Sequence, residues 1–239
     1  MPPASPPTRD QLLARLRDSF EIEQEWVPFG DGQLEIWRPA DPDAALDDAT
    51  LEQSCTEMQW HPYWAQAWDS SYGLLTWLSG RDWTGQQVLD LGCGLGISTA
   101  GLLAAGAEVV AGDNARPGLE FARLNTFPWN HRCRVREIDW RASRLNQRFD
   151  WIVGSDILYD RQQIEPLDRF FREHLGEGGK VLLADPSRPM TVEFLEQLQR
   201  RGWRRQTTVL ASDPGRPPIR LAIMSPDPAV HSAVAGPTG

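Results

Sequence analysis

Four aspartates, Asp90, Asp113, Asp139 and Asp156, fall at the ends of four successive strand-like segments. A carboxylate at such a point can accept protons from the hydroxyl or amino groups of a ligand lying beyond the sheet edge. The first of them opens the run Asp90-Leu91-Gly92-Cys93-Gly94-Leu95-Gly96, in which glycine recurs at alternate positions. Such a loop delivers backbone to a ligand with few side chains in the way, which points to a nucleotide-like cofactor. The pattern of an ATP-type phosphate loop, G-x-x-x-x-G-K-[ST], is absent. A dinucleotide fingerprint counted from Gly92 would place its third glycine at position 97, which is Ile97; the glycine comes one residue early.

The other acids suggest divided roles. Asp113 follows closely enough to take ribose hydroxyls, a role that dinucleotide folds share. In Asp139-Trp140 a carboxylate can accept from an adenine amino group while an indole stacks on the ring. Ser155-Asp156-Ile157-Leu158-Tyr159 ends the fourth strand-like segment, at the same sheet edge as the other acids. The Asn-Pro-Pro-Tyr tetrad that grips planar amides or exocyclic adenine nitrogen is missing there. An acid with a phenol suits a flexible cationic amine instead, the carboxylate holding an ammonium and the ring facing it. Asp156 and Tyr159 are therefore the candidate catalytic pair. Each residue also has a purely structural reading: Asp113 as a helix cap in competition with Asn114, Asp156 as a loop bond, and Trp140 and Trp68 as packing.

These residues need a scaffold, and the apolar pattern supplies one. Residues 10–19 have helical spacing, and alternation across 20–37 with a turn at Phe29-Gly30-Asp31-Gly32 predicts a β-hairpin. Residues 41–57 read as a polar helix or loop, and 63–78 as one helix carrying Trp64, Trp68, Leu75 and Trp77. Strands are expected at 87–91, 108–112, 134–138, 149–155 and 180–184, with helices at 97–105, 119–125, 164–175 and 191–201 between and after them. Two further strands are expected at 206–211 and 220–224. Alternation of this kind demands an α/β fold, a doubly wound, Rossmann-like, mostly parallel seven-stranded sheet with helices on both faces. The expected division is an N-terminal extension at 1–60, a core at 61–225 and a tail at 226–239, with both chain ends disordered.

Composition narrows the partners. The 239 residues carry a formal charge of −9, which argues against nucleic-acid binding by general electrostatics and suits a basic partner. Arg132, Arg134 and Arg136 read as one solvated strand face. Three cysteines and four scattered histidines suggest neither a disulfide framework nor a metal site. No signal-peptide core or membrane-length apolar run is seen, so a soluble cytoplasmic protein and a monomer are expected.

The spacing D-x-G-x-G-x-G at Asp90 to Gly96 resembles motif I of the class I, seven-strand S-adenosylmethionine-dependent methyltransferases. Asp156-Ile157-Leu158-Tyr159 resembles the D-x-x-Y motif of the family 16 protein-lysine methyltransferases, which modify chaperones, calmodulin and the electron-transfer flavoprotein β-subunit. Pro62-Tyr63-Trp64-Ala65-Gln66-Ala67-Trp68-Asp69 is similar to that family's helix leading into the cofactor pocket. Asp139-Trp140 and Asp185-Pro186-Ser187-Arg188 are similar to segments after its third and fifth strands, and the likeness runs over roughly residues 60 to 225. The resemblance implies S-adenosyl-L-methionine as cofactor and S-adenosyl-L-homocysteine as product. It places Trp68, Asp90, Gly92, Cys93, Gly94, Gly96, Asp113, Asn114, Asp139, Trp140 and Ser155 around the cofactor, and a protein bearing an exposed lysine as partner. A small-molecule amine acceptor and a non-catalytic binding module are the competing expectations.

Overall fold

The computed structural model describes residues 6–47, 63–211 and 217–228. Most of both expected disordered ends, and the later part of the 41–57 segment, lie outside the described residues.

Helix α1 (Arg9–Ser19) starts on a reciprocal cap, in which Gln11 N donates to Thr8 Oγ1 at 3.3 Å and Thr8 N to Gln11 Oε1 at 2.9 Å. Its buried face is Leu12, Leu13 and Leu16, at the three- and four-residue spacing of one helix side. Strands β1 (Ile22–Phe29) and β2 (Gly32–Pro39) then form the expected antiparallel hairpin. Helix α2 (Pro42–Asp47) follows.

The expected single helix over 63–78 is broken. Tyr63–Ala65 form one 3₁₀ turn, Trp68 is extended (φ −75°, ψ 142°), and α3 runs Asp69–Leu78. The physical reason lies in the Tyr63 carbonyl, which a continuous helix would give to the amide four residues on. Here it accepts from Gln66 N at 3.3 Å and from the Trp68 indole Nε1 at 3.1 Å.

The main sheet has seven strands in the order β5-β4-β3-β6-β7-β9-β8. These are β3 (Gln87–Leu91), β4 (Glu108–Asp113), β5 (Cys133–Glu137), β6 (Phe149–Ser155), β7 (Leu175–Asp185), β8 (Trp203–Leu210) and β9 (Ile219–Pro226). The first five pair in parallel; β9 runs antiparallel to both β7 and β8. Helices α4 (Ile97–Ala104), α5 (Arg116–Asn125), α6 (Ile164–His174) and α7 (Pro189–Arg200) connect the strands. Strand β7 starts five residues earlier than expected, because Gly176 and Gly179 lie close on the Phe149 carbonyl of β6, where side chains would crowd it. Helix α5 starts at Arg116, earlier than expected, with Pro117 in its first turn, where the missing N–H costs nothing.

Successive strand residues feed opposite faces. Leu89, Leu91, Ile152, Val181 and Leu183 join Ile164, Leu167, Phe170 and Phe171 of α6 and Phe194, Leu195 and Leu198 of α7 in one buried cluster. Val88, Val153, Leu182 and Ala184 join Leu74 and Leu78 of α3 and Leu102 and Leu103 of α4 in another. Each such side chain buried contributes about 1.5–3 kcal/mol, which explains why strands covered on both sides are apolar throughout. The N-terminal helix and hairpin pack on α4 and α5 through Leu12, Leu16, Ile36, Phe121 and Leu124. Arg134 and Arg136 are exposed, whereas Arg132 donates to the carbonyls of Leu103 and Ala107 at 3.0 Å each, holding the end of α4. Among the described residues no helix is long and apolar enough to cross a membrane.

Candidate active site

The order of the parallel strands reverses at β3, with β4 and β5 added on one side and β6 and β7 on the other. A crevice must open at such a switch point, beyond the carboxyl ends of the strands. A cavity of about 150 Å³ lies there, and its wall brings together Gly92, Cys93, Gly94, Asp113, Asn114, Trp140, Ser155, Asp156, Tyr159 and Trp68. Three residues proposed from the sequence, Asp90, Gly96 and Asp139, are not part of that wall.

Each of the three has a local reason. Asp90 is fully buried within β3, and its Oδ2 accepts from Ser98 Oγ at 2.7 Å and Thr99 Oγ1 at 2.5 Å. It therefore ties the strand to the first turn of α4, across the glycine loop. Burial pushes its carboxyl up to about 6, against the pull of those two hydroxyls. Gly96 (φ +78°) caps α4, and a Cβ there would stand 2.9 Å from Ala122 Cα. Asp139 turns back on its own loop: Arg141 N donates to Oδ1 at 2.9 Å, and the Arg141 guanidinium grips both oxygens. Partial burial opposes the effect, but Arg141 holds this carboxyl below its ordinary value. Asp139 is thus held within its own loop, while its neighbour Trp140 enters the wall, with Nε1 donating to Gln163 Oε1 at 2.6 Å.

The glycines also act differently from the expectation of clear access. A Cβ on Gly92 (φ +70°) would sit 2.6 Å from Ile157 Cγ2, so its bareness seats the β6 loop against the β3 loop. Asp113, at the end of β4, braces the same turn by accepting from Gly94 N and Ala115 N at 2.8 Å each. Burial raises its carboxyl, and those amides partly offset the rise. Cys93 is buried beside Asp113 and Asp90, which drives its thiol well up and leaves it without thiolate character.

The other end of the cavity is acidic and aromatic. Asp156 (φ +57°) is 8% exposed, and burial pushes its carboxyl up to about 6, although the Ser70 hydroxyl and Arg188 pull it down. Arg188 donates to Asp156 Oδ1 and to the buried Asp185. Tyr63 meets Trp68 edge-on with ring centroids 5.7 Å apart, and Tyr159 likewise at 5.6 Å, so three rings stand at this end. Burial and the Asp113 charge raise the Tyr159 phenol, which stays neutral. Ser155 touches Ser71 hydroxyl to hydroxyl at 3.2 Å.

The wall also takes in Tyr63, Trp64 and Gln66, from the stretch whose likeness pointed to a cofactor pocket, and Ser71, Leu95, Ile97 and Pro117, which sequence reasoning did not single out. The first four come from the segment before β3, which reaches the site only through tertiary packing. The aromatic cluster Tyr63-Trp64 and Trp68 ahead of the first core strand was the available signal. Trp64 Nε1 is a buried donor without a partner among the described residues, on a side chain that lines the cavity.

The arrangement fits an adenosyl amino-acid cofactor. Asp113 offers a carboxylate, Trp140 an aromatic face, the Gly92–Gly94 turn bare backbone, and Trp64 an unspent N–H. Residues 88–179 match the family model described as a methyltransferase domain. Over 122 residues the chain is 34% identical to the cypemycin N-terminal methyltransferase of a Streptomyces species, covering 48% of this chain and 49% of that protein. Over 135 residues it is 32% identical to the electron transfer flavoprotein beta subunit lysine methyltransferase of Xenopus laevis, covering 53% of each. The chain thus spans about half the length of these curated relatives. Among solved structures, the glycopeptide N-methyltransferase MtfA complexed with S-adenosyl-L-methionine shares the fold, with a TM-score of 0.56 at 21% identity over 65% of this chain and 93% of that one.

Proposed function

We propose that this chain, whose residues 88–179 match a methyltransferase domain, uses S-adenosyl-L-methionine to methylate amine nitrogen, the ε-amine of a lysine in a protein. The observation that carries this reading is the meeting, at one end of the cavity, of the Asp156 carboxylate with the rings of Tyr63, Trp68 and Tyr159. A carboxylate flanked by aromatic rings favours a cation on a slender stem, and the lysine ammonium is such a group.

When bound, S-adenosyl-L-methionine supplies a methyl group already activated on a sulfonium sulfur. Asp113 would hold its ribose, Trp140 its base, and the Gly92–Gly94 turn would lie against it. The remaining task of the protein is positioning, which can supply about 7–11 kcal/mol of barrier reduction. Asp156 orients the amine. It does not activate it, because a nearby carboxylate raises an amine pKa that starts near 10.4. The opening at the cavity mouth would let the amine's proton pass to water, leaving the nitrogen lone pair free to take the methyl group.

A second reading, the α-amine at a polypeptide N-terminus, is favoured by the likeness to the cypemycin N-terminal methyltransferase. One experiment separates the two. The purified protein is incubated with methyl-labelled cofactor and a cell lysate, and labelled species are identified by mass spectrometry. Label on internal lysines supports the first reading, label on N-terminal residues the second, and label confined to small metabolites refutes both.

A further inference from the structure

Among the described residues, two that are not glycine have left-handed backbone: Asp156 (φ +57°) and Ser187 (φ +64°). Strain of this kind, of order 1–3 kcal/mol each, persists where surrounding structure enforces it, and it gathers at functional sites. Both residues border one ion-paired cluster. Asp156 N donates to Ala184 O of β7 at 2.9 Å, so the end of β6 is pinned to the end of β7. The loop leaving β7 then turns through Ser187, whose Oγ accepts from Arg220 Nε of β9 at 3.3 Å. That turn returns Arg188 over the pair. Its amide donates to Asp185 Oδ1 at 3.0 Å, its Nε and Nη2 to Asp185 Oδ2 at 3.1 and 2.6 Å, and its Nη2 also to Asp156 Oδ1.

The direct ion pairs do not balance, even with Arg220 standing opposite Asp185 in the β7–β9 pairing. One guanidinium serves two carboxylates, of which Asp185 is 1% exposed and Asp156 6% by side chain, while Arg188 remains 34% exposed. Helix α3 adds Asp69, which also pushes the Asp156 carboxyl up, and the hydroxyl of Ser70, which pulls it down. A buried carboxylate pair with a single cation is costly unless further positive charge arrives.

We infer that Arg188 is a positioning residue for the acceptor: it aims and keeps ionised the Asp156 carboxylate, and leaves one negative charge for the incoming ammonium to complete. The inference rests on the amine-acceptor reading above. It assigns a role to the β7–α7 loop, a segment that does not line the cavity. Arg188 shares Asp156 with the acceptor without touching the methyl donor.

The test compares Arg188→Met with Arg188→Lys. Loss of an opposite charge at contact distance moves a carboxyl up by about one pH unit or more. In Arg188→Met the acid limb of kcat/KM for the labelled acceptor should therefore shift upward from near 6 by about that much. At pH 7 a one-unit shift should raise the KM for the acceptor about twofold and a two-unit shift about tenfold, with kcat less affected. Cofactor affinity measured by calorimetry should stay at the wild-type value. Arg188→Lys should bring the acid limb back toward wild type. Titration of the Asp156 carboxyl by ¹³C NMR, assigned with Asp156→Asn, should show the same order without any acceptor present. An acid limb and a carboxyl titration that do not move in Arg188→Met would overturn the inference. So would a rise in acceptor KM that Arg188→Lys fails to relieve. If wild-type protein methylates no amine, the functional reading fails, while the NMR titration still decides whether Arg188 governs Asp156.

Discussion

The two ends of the cavity are built on different physics. At the β3–α4 turn, positive backbone angles fall on Gly92, Gly94 and Gly96, residues that adopt them without strain, and Asp113 and Asp90 brace the turn through short hydrogen bonds. At the β6–β7 end a comparable angle falls on an aspartate, held by an ion pair to a half-exposed arginine. The donor end is fixed by residue choice and backbone geometry. The acceptor end is fixed by charge, so it should respond to pH, to salt and to the charge of what enters.

The comparison can be broken from either side. The largest effect is expected from Gly96→Val. Left-handed backbone on a β-branched residue and a Cβ against the Ala122 backbone should together cost about 2–5 kcal/mol, read by urea unfolding, with cofactor binding lost in calorimetry. Wild-type stability in this variant would show that the donor turn does not depend on its glycines. Next, Asp156→Ala should lower kcat/KM for an amine acceptor about 100-fold while cofactor affinity stays near wild type, because only the acceptor loses its orientation. A matching fall in cofactor affinity would merge the two ends into one. Asp113→Asn should do the reverse, weakening the cofactor about 10- to 100-fold, the worth of one charged hydrogen-bonding group, while the acceptor KM changes little. The smallest effect concerns stability alone. The folded-state carboxyl of Asp90 lies at about 6, above its unfolded value of 3.8, so its contribution is full below about 4 and is lost as pH rises through 6. Asp90→Asn should remove that loss, and unfolding free energy measured between pH 4 and 7 should rise more steeply with pH than in wild type. A curve parallel to wild type would mean that Asp90 is not desolvated as its burial requires.

What could be read beforehand divides along the same line. Strands β3 and β6 were legible to the residue, since strands covered on both faces are unbroken apolar runs bounded by polar turns. The loop glycines were visible as a pattern, but their partners were not. That Gly92 makes room for Ile157 and Gly96 for Ala122 depends on contacts between distant segments. An acid after a strand reads the same whether it stands free or folds back, so the bonds of Asp139 to Arg141, two residues on, were not legible. The segment Asp185 to Arg188 stood out in the sequence, yet the bond from Arg188 to Asp156 spans 32 positions and no periodicity reveals it. The break before α3 hinges on one indole capping one carbonyl, below the reach of spacing arguments.

One buried amide carries a consequence for the N-terminal hairpin. Asn125 Oδ1 accepts from Trp37 N at 2.7 Å, while its Nδ2 donates to Trp37 O and to Leu95 O, each at 2.9 Å. Leu95 belongs to the cofactor turn, so a single side chain acts as a strut between the outermost ribbon of the protein and the floor of its cavity. A displacement of the ribbon would therefore reach the cavity floor through this one amide.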